Sequence, residues 1–179
     1  MHEILSWLEY PMFQRMLQAA GSDQKLVKIA KAATAWAGSG SGLVIARYKK
    51  DEYTVLDFIP LESSPGGSPP IEQVKYAIAS NAFPKTYLRL DGYGLFSKKK
   101  ITDRGQGTVN CQSTAQAWEF FNIILDSTVS GKVNIQSAEF PGVFLRMDAG
   151  CVSEDHPDGD LGSVNAQWTA DSFERFELV

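Results

Sequence analysis

The sequence is short of nearly every group from which reactive chemistry is built. Its 179 residues include two histidines, His2 and His156, and two cysteines, Cys111 and Cys151. No cysteine, histidine or carboxylate cluster has the spacing of a zinc site. Two cysteines are also few for a secreted domain held by disulfides. No run of about 18 apolar residues occurs, so no membrane span is expected. Basic residues are outnumbered, 17 Lys and Arg against 21 Asp and Glu, and the net charge of -4 argues against a broad nucleic-acid surface. "GSGSG", from Gly38 to Gly42, has glycine where a nucleophile elbow needs serine, and no Lys-Ser/Thr follows to make a phosphate loop. It reads as a turn. The opening "MHEILSWLEY" lacks the basic, apolar and small-residue regions of a secretion signal. The expectation is a cytoplasmic protein that is not an enzyme and needs no cofactor. A mature form of a secreted protein is the alternative.

What the sequence does have is repetition. "IASNAFPKTYLRLDG", from Ile78, and "IQSAEFPGVFLRMDAG", from Ile135, pair Ser80 with Ser137 and Phe83-Pro84 with Phe140-Pro141. They also pair Leu88-Arg89 with Leu145-Arg146 and Asp91 with Asp148, always 57 residues apart. After a loop of different length, "GTVNCQ" from Gly107 meets "GSVNAQ" from Gly162, and "WEFFNII" from Trp118 meets "FERFELV" from Phe173. A third, worn copy lies upstream. "VKIAKA" from Val27 aligns with "YAIASN" and "VNIQSA", "GLVIAR" from Gly42 with "GSVNAQ", and "YTVLDFI" from Tyr53 with "FERFELV".

Each copy reads as four short strands, with apolar and polar positions alternating and glycine-rich turns between. Three such units cannot each bury a face alone, and a closed barrel removes exposed strand edges. The expected fold is therefore all-β, a β-trefoil of three four-stranded repeats. Its units are repeat 1 at 25–61, a Pro/Gly/Ser-rich connector at 62–73, repeat 2 at 74–126 and repeat 3 at 131–179. Ahead of them, residues 1–24 are expected to form a helical extension. "PMFQRMLQAAGS" starts with Pro11, stops at Gly21, and spaces Leu8, Met12, Met16 and Ala20 at helical intervals. Residues 25–35 also fit a helix, and the repeat alignment alone favours strand there.

The opening strand, "FLRMD", "GSVNAQ" and "ERFELV" together resemble the repeats of fascin-like β-trefoils, over roughly residues 25 to 179. The stretch S-x-x-F-P-x-x-x-L-R also resembles arabinose-binding β-trefoil modules, with Leu90 and Met147 where those carry histidine. The first resemblance implies actin binding, and with a single trefoil, crosslinking would need oligomerisation. The second implies sugar binding.

From the residues themselves, Arg89 with Asp91 and Arg146 with Asp148 make either structural ion pairs or polar recognition corners. Sugar recognition needs a group that grips hydroxyls and an aromatic face. Asp91, Tyr93 and Asn110 offer that set, and Asp148 and Asn165 offer it without a tyrosine. The basic loop with Lys98, Lys99, Lys100 and Arg104 is a candidate contact for an anionic partner. Its counterpart, "CVSEDHPDGDLG" from Cys151, is acidic but lacks the EF-hand spacing for calcium. The leading expectation is a carbohydrate-binding module. A protein-interaction module, or a protease-inhibitor or toxin-type trefoil, is the alternative.

Overall fold

The computed structural model describes residues 13–15, 17–19, 26–29, 42–48, 50–61, 74–92, 107–148 and 162–179. For residues 13–15, 17–19, 26–29 and Arg47 it describes the backbone alone. The strands are β1 (Phe13–Arg15), β2 (Leu17–Ala19), β3 (Leu26–Ile29), β4 (Val44–Arg47) and β5 (Leu56–Pro60). They continue as β6 (Lys75–Ser80), β7 (Tyr87–Asp91), β8 (Gly107–Gln112) and β9 (Phe120–Leu125). The last four are β10 (Val133–Ser137), β11 (Phe144–Asp148), β12 (Gly162–Gln167) and β13 (Arg175–Leu178). All lie in one sheet.

Six positions of that sheet form a closed ring. β1 pairs with β5, β5 with β6, β6 with β9, β9 with β10, and β10 with β13. β13 then pairs with β2, which runs on from β1, and the barrel closes. Closure satisfies backbone groups that an open edge would leave unpaired. The barrel is filled by Leu56, Phe121 and Phe176 from the fourth strands and by Ile78 and Ile135 from the first, all fully buried.

This ring corrects the sequence reading at the amino terminus. The stretch from Pro11 to Gly21, expected as a helix, supplies β1 and β2. Phe13, Leu17 and Ala19 fit a two-residue period as well as a helical one, and local spacing cannot choose between them. The open edges of β5 and β13 choose. A second correction follows from register. Leu26–Ile29, aligned by sequence with the first strands, pairs with β4 from Leu26↔Arg47 to Ile29↔Val44. That is the register of second strands, as in Tyr87↔Gln112 and Phe144↔Gln167. Lys28, opposite Ile45, therefore holds the place that Arg89 and Arg146 hold opposite Asn110 and Asn165.

Three hairpins, β3–β4, β7–β8 and β11–β12, cap the ring. Their third strands meet in a cycle. Gly42 bridges to Cys111, Gly107 lies opposite Ala166, and Gly162 lies opposite Ala46. A Cβ at Gly107 would stand 2.6 Å from that of Ala166. At Gly107 the small pair of "GTVNCQ" and "GSVNAQ" is thus a packing requirement, and buried Cys111 serves as a small apolar residue.

The serine of S-x-x-F-P makes a turn. Ser80 Oγ accepts from the Phe83 amide and Ser137 Oγ from the Phe140 amide, each at 3.1 Å. Two residues after each phenylalanine the chain enters positive φ, at Lys85 (57°) and Gly142 (85°). Asp126 fixes the turn between β9 and β10. It accepts from the Thr128 and Val129 amides and from Arg175 Nε at 2.7 Å. Burial alone would raise its carboxyl, but bonds from Arg175, Thr128 and Val129 outweigh burial and hold it below the usual carboxylate range.

Gly107→Ala is expected to lower unfolding free energy by roughly 1–3 kcal/mol through overpacking at the cap, measured by urea denaturation. Asp126→Ala should cost roughly 2 kcal/mol at pH 7. Because this carboxyl is depressed, its contribution is complete above the unfolded value near about 4 and fades as pH falls. The deficit of the variant should shrink between pH 5 and pH 3 in paired melts.

Candidate functional site

Two corners of the molecule repeat one arrangement around a buried arginine. Arg89 projects from the middle of β7, with its side chain 4% exposed. Nη1 donates to Asp91 Oδ2 at 2.9 Å and to Asn110 Oδ1 at 3.3 Å. Nε stands 3.3 Å from Glu119 Oε1, and the guanidinium lies 4.5 Å from the Trp118 ring centre. In the next unit Arg146 Nη2 donates to Asp148 at 3.3 Å, Nε stands 3.4 Å from Glu174 Oε1, and the Phe173 ring lies 4.6 Å away. Each arginine is thus held between two carboxylates and against an aromatic face, where desolvation strengthens cation–π attraction.

The glutamates come from 3-10 turns, Ala117–Glu119 and Ser172–Glu174, that lead into β9 and β13. Each caps its own turn. Glu119 Oε2 accepts from the Gln116 amide at 2.7 Å and Glu174 Oε2 from the Asp171 amide at 2.8 Å. The first unit keeps the cap and drops the charge. In its turn, Glu52–Thr54, Thr54 Oγ1 accepts from the Asp51 amide at 3.1 Å. With Lys28 and Ile45 in the other two places, no arginine corner exists there.

Burial raises both Glu119 and Glu174 above the usual glutamate value. The capping amides and the adjoining arginines offset part of that rise.

Beside the Arg89 corner is a cleft of about 240 Å³, lined by Arg89, Gln112, Gln116, Ala117, Trp118 and Glu119. Gln112 is 4% exposed. Its amide nitrogen donates to the Thr114 carbonyl at 2.9 Å, while Oε1 is buried with no protein donor. A buried acceptor without a donor is costly, and a hydroxyl or amide N–H entering the cleft would satisfy it. In the Arg146 corner, Arg146 Nη1 and Asn165 Oδ1 are likewise buried without hydrogen-bond partners.

Asp91 and Asn110 therefore meet at one arginine, and Asp148 stands in the equivalent pair. Asn165 lies opposite Arg146 in register but makes no bond to it. Tyr93, Lys98, Lys99, Lys100, Arg104 and the acidic loop at 151–161 fall outside the described residues. Trp118, Glu119, Gln112 and Phe173 were missed by sequence reasoning. The signal for the acids was present, since Glu119 and Glu174 recur in both units just as the arginines do.

Among the described residues, no group of three His, Cys, Asp or Glu is placed to hold a metal, and no helix is long and apolar enough to cross a membrane. No protein-family model and no curated protein matches the chain. Solved structures do. The designed three-fold symmetric protein ThreeFoil superposes with a TM-score of 0.57 at 15% identity, covering 92% of this chain and 96% of its own. A Gallus interleukin-1 beta mutant gives 0.58 at 13%, with 95% and 97% covered. SeviL, solved with asialo-GM1 saccharide, gives 0.53 at 11%, with 93% and 95% covered. The fold is a β-trefoil. At these identities the likeness extends to the trefoil frame alone, and the arginine corners rest on this chain's own geometry.

Because Glu119 and Glu174 are raised, their contribution to trefoil stability is complete below about 4.5, the ordinary glutamate value. It is lost as pH climbs through the raised values. Glu119→Gln should therefore gain on the natural protein between pH 4 and pH 6 in urea melts. A widening deficit would show that the Arg89 pairing outweighs burial.

Proposed function

We propose that the protein is a non-catalytic binding module that recognises carbohydrate at its arginine corners, foremost in the Trp118 cleft. The unpartnered, buried Oε1 of Gln112 carries this reading. It lines the same cleft as an aromatic ring, a carboxylate and a guanidinium. A sugar offers the matching chemistry, with hydroxyl donors around its edge and an apolar C–H face. Asp91 and Asn110 would form the rim on the far side of Arg89, and Asp148 and Asn165 the corresponding rim in the third unit.

Two observations add support. A saccharide is bound by one trefoil of the same shape, SeviL. The arginine of the S-x-x-F-P-x-x-x-L-R stretch, which resembles arabinose-binding modules, is the residue that organises the corner. The serine and phenylalanine of that stretch are spent on a turn, and Leu88 and Leu145 on the core. The same geometry supports a non-catalytic role. Each buried carboxylate is committed to an arginine and to a turn, which leaves it poorly suited to proton transfer.

A glycan array probed with the intact chain should give saccharide-dependent signal. Trp118→Ala and Gln112→Leu should each weaken the strongest hit roughly tenfold, measured below a thermal midpoint determined separately for each variant. An array without signal, or affinity indifferent to both substitutions, would reject the reading.

A further inference from the structure

The two complete S-x-x-F-P turns do more than shape the backbone. Each sends its phenylalanine onto the aromatic ring of the preceding unit. Phe83 stacks on Tyr53 with ring centres 5.3 Å apart, and Phe140 lies on Trp118 at 6.1 Å. Phe140 is further backed by Gly92, where a Cβ would fall 2.1 Å from the tip of its ring. The ring on each 3-10 turn is thus a seat, and the next unit fills it.

Around the barrel the third seat belongs to Phe173. It is 48% exposed and has no ring partner among the described residues. The reason is legible in register. Ala19 holds the strand position of Ser80 and Ser137, each opposite a buried fourth-strand residue: Phe176, Leu56 and Phe121 in turn. The hydroxyl that fixes the turn is gone. Counting on from Ala19 as from Ser80 and Ser137, the chain has Ser22 where Phe83 and Phe140 stand. At those two positions the sequence has neither the serine nor the phenylalanine of the other units.

Charge narrows what fits. Arg146, which lies 4.6 Å from the Phe173 ring centre, is itself paired with Asp148 and Glu174, and Asp171 stands two residues before the ring, so among the described residues carboxylates outnumber cations in this corner. We infer that Phe173 is a docking seat for a phenylalanine that precedes proline in a basic segment of another polypeptide. The seated residue would repeat in trans the contact that Phe83 and Phe140 make within the chain. Complementary charge beside an aromatic anchor supplies orientation as well as attraction. This site shares Arg146 with the third unit's corner but is separate from the Trp118 cleft, and its test does not involve sugar.

The chain's own turns provide the probes. End-capped peptides SNAFPKT, copied from residues 80–86 with basic Lys85, and SAEFPGV, from 137–143 with acidic Glu139, are titrated into isotope-labelled protein. SNAFPKT should shift the amide resonances of Asp171 to Glu174 saturably, with a dissociation constant on the order of 1 mM for one anchor. SAEFPGV should bind about threefold more weakly, a gap that closes in high salt. Phe173→Ala should abolish the shifts, and Phe173→Trp should keep them, as tryptophan fills the matching place in the second unit. The inference is overturned if neither peptide shifts these residues. Equal shifts in Phe173→Ala, or from a peptide with alanine replacing its phenylalanine, overturn it as well.

Discussion

Ring closure is the constraint on which the remaining structure depends. Six strand positions pair around the barrel, and the last gap, between β5 and β13, is filled by β1 and β2. Without them two rows of backbone donors and acceptors would lose their partners, and the packed rings of Phe121 and Phe176 would face an opening. Closure also fixes the stagger of the strands, which carries the three hairpins over one end. There Gly107 approaches Ala166 so closely that neither position has room for a larger side chain.

Within that frame, the units have diverged where side chains meet rather than where backbones pair. The second and third spend an arginine, two carboxylates and a ring on each corner. A buried ion pair of this kind adds little net stability over an apolar substitute, yet loss of one partner strands the other charge. The first unit shows a consistent solution of the opposite sort. Thr54 caps its turn without charge, and Ile45 replaces asparagine.

The second and third units were legible from sequence because their letters recur at nearly fixed spacing, and their strand periodicity survives. Their arginines and aspartates were also visible, as was the ambiguity between ion pair and recognition corner. Trp118 and Glu119 were not seen as partners of Arg89, since they lie about thirty residues away and meet it only through the β7–β8 hairpin. In the first unit the alignment slipped at Val27. With Phe-Pro and Leu-Arg gone, nothing local distinguishes a second strand from a first.

The sequence by itself determined a β-rich chain, a shared pattern in at least two units, and the glycine-rich turns between strands. These are properties of neighbouring residues, and composition and period report them directly. Only the tertiary structure decided that Phe13–Arg15 and Leu17–Ala19 are strands, that Lys28 stands in an arginine's place, and that Phe173 has no ring partner among the described residues. Each of those depends on which distant edge or face must be covered. That demand exists only once the barrel has closed.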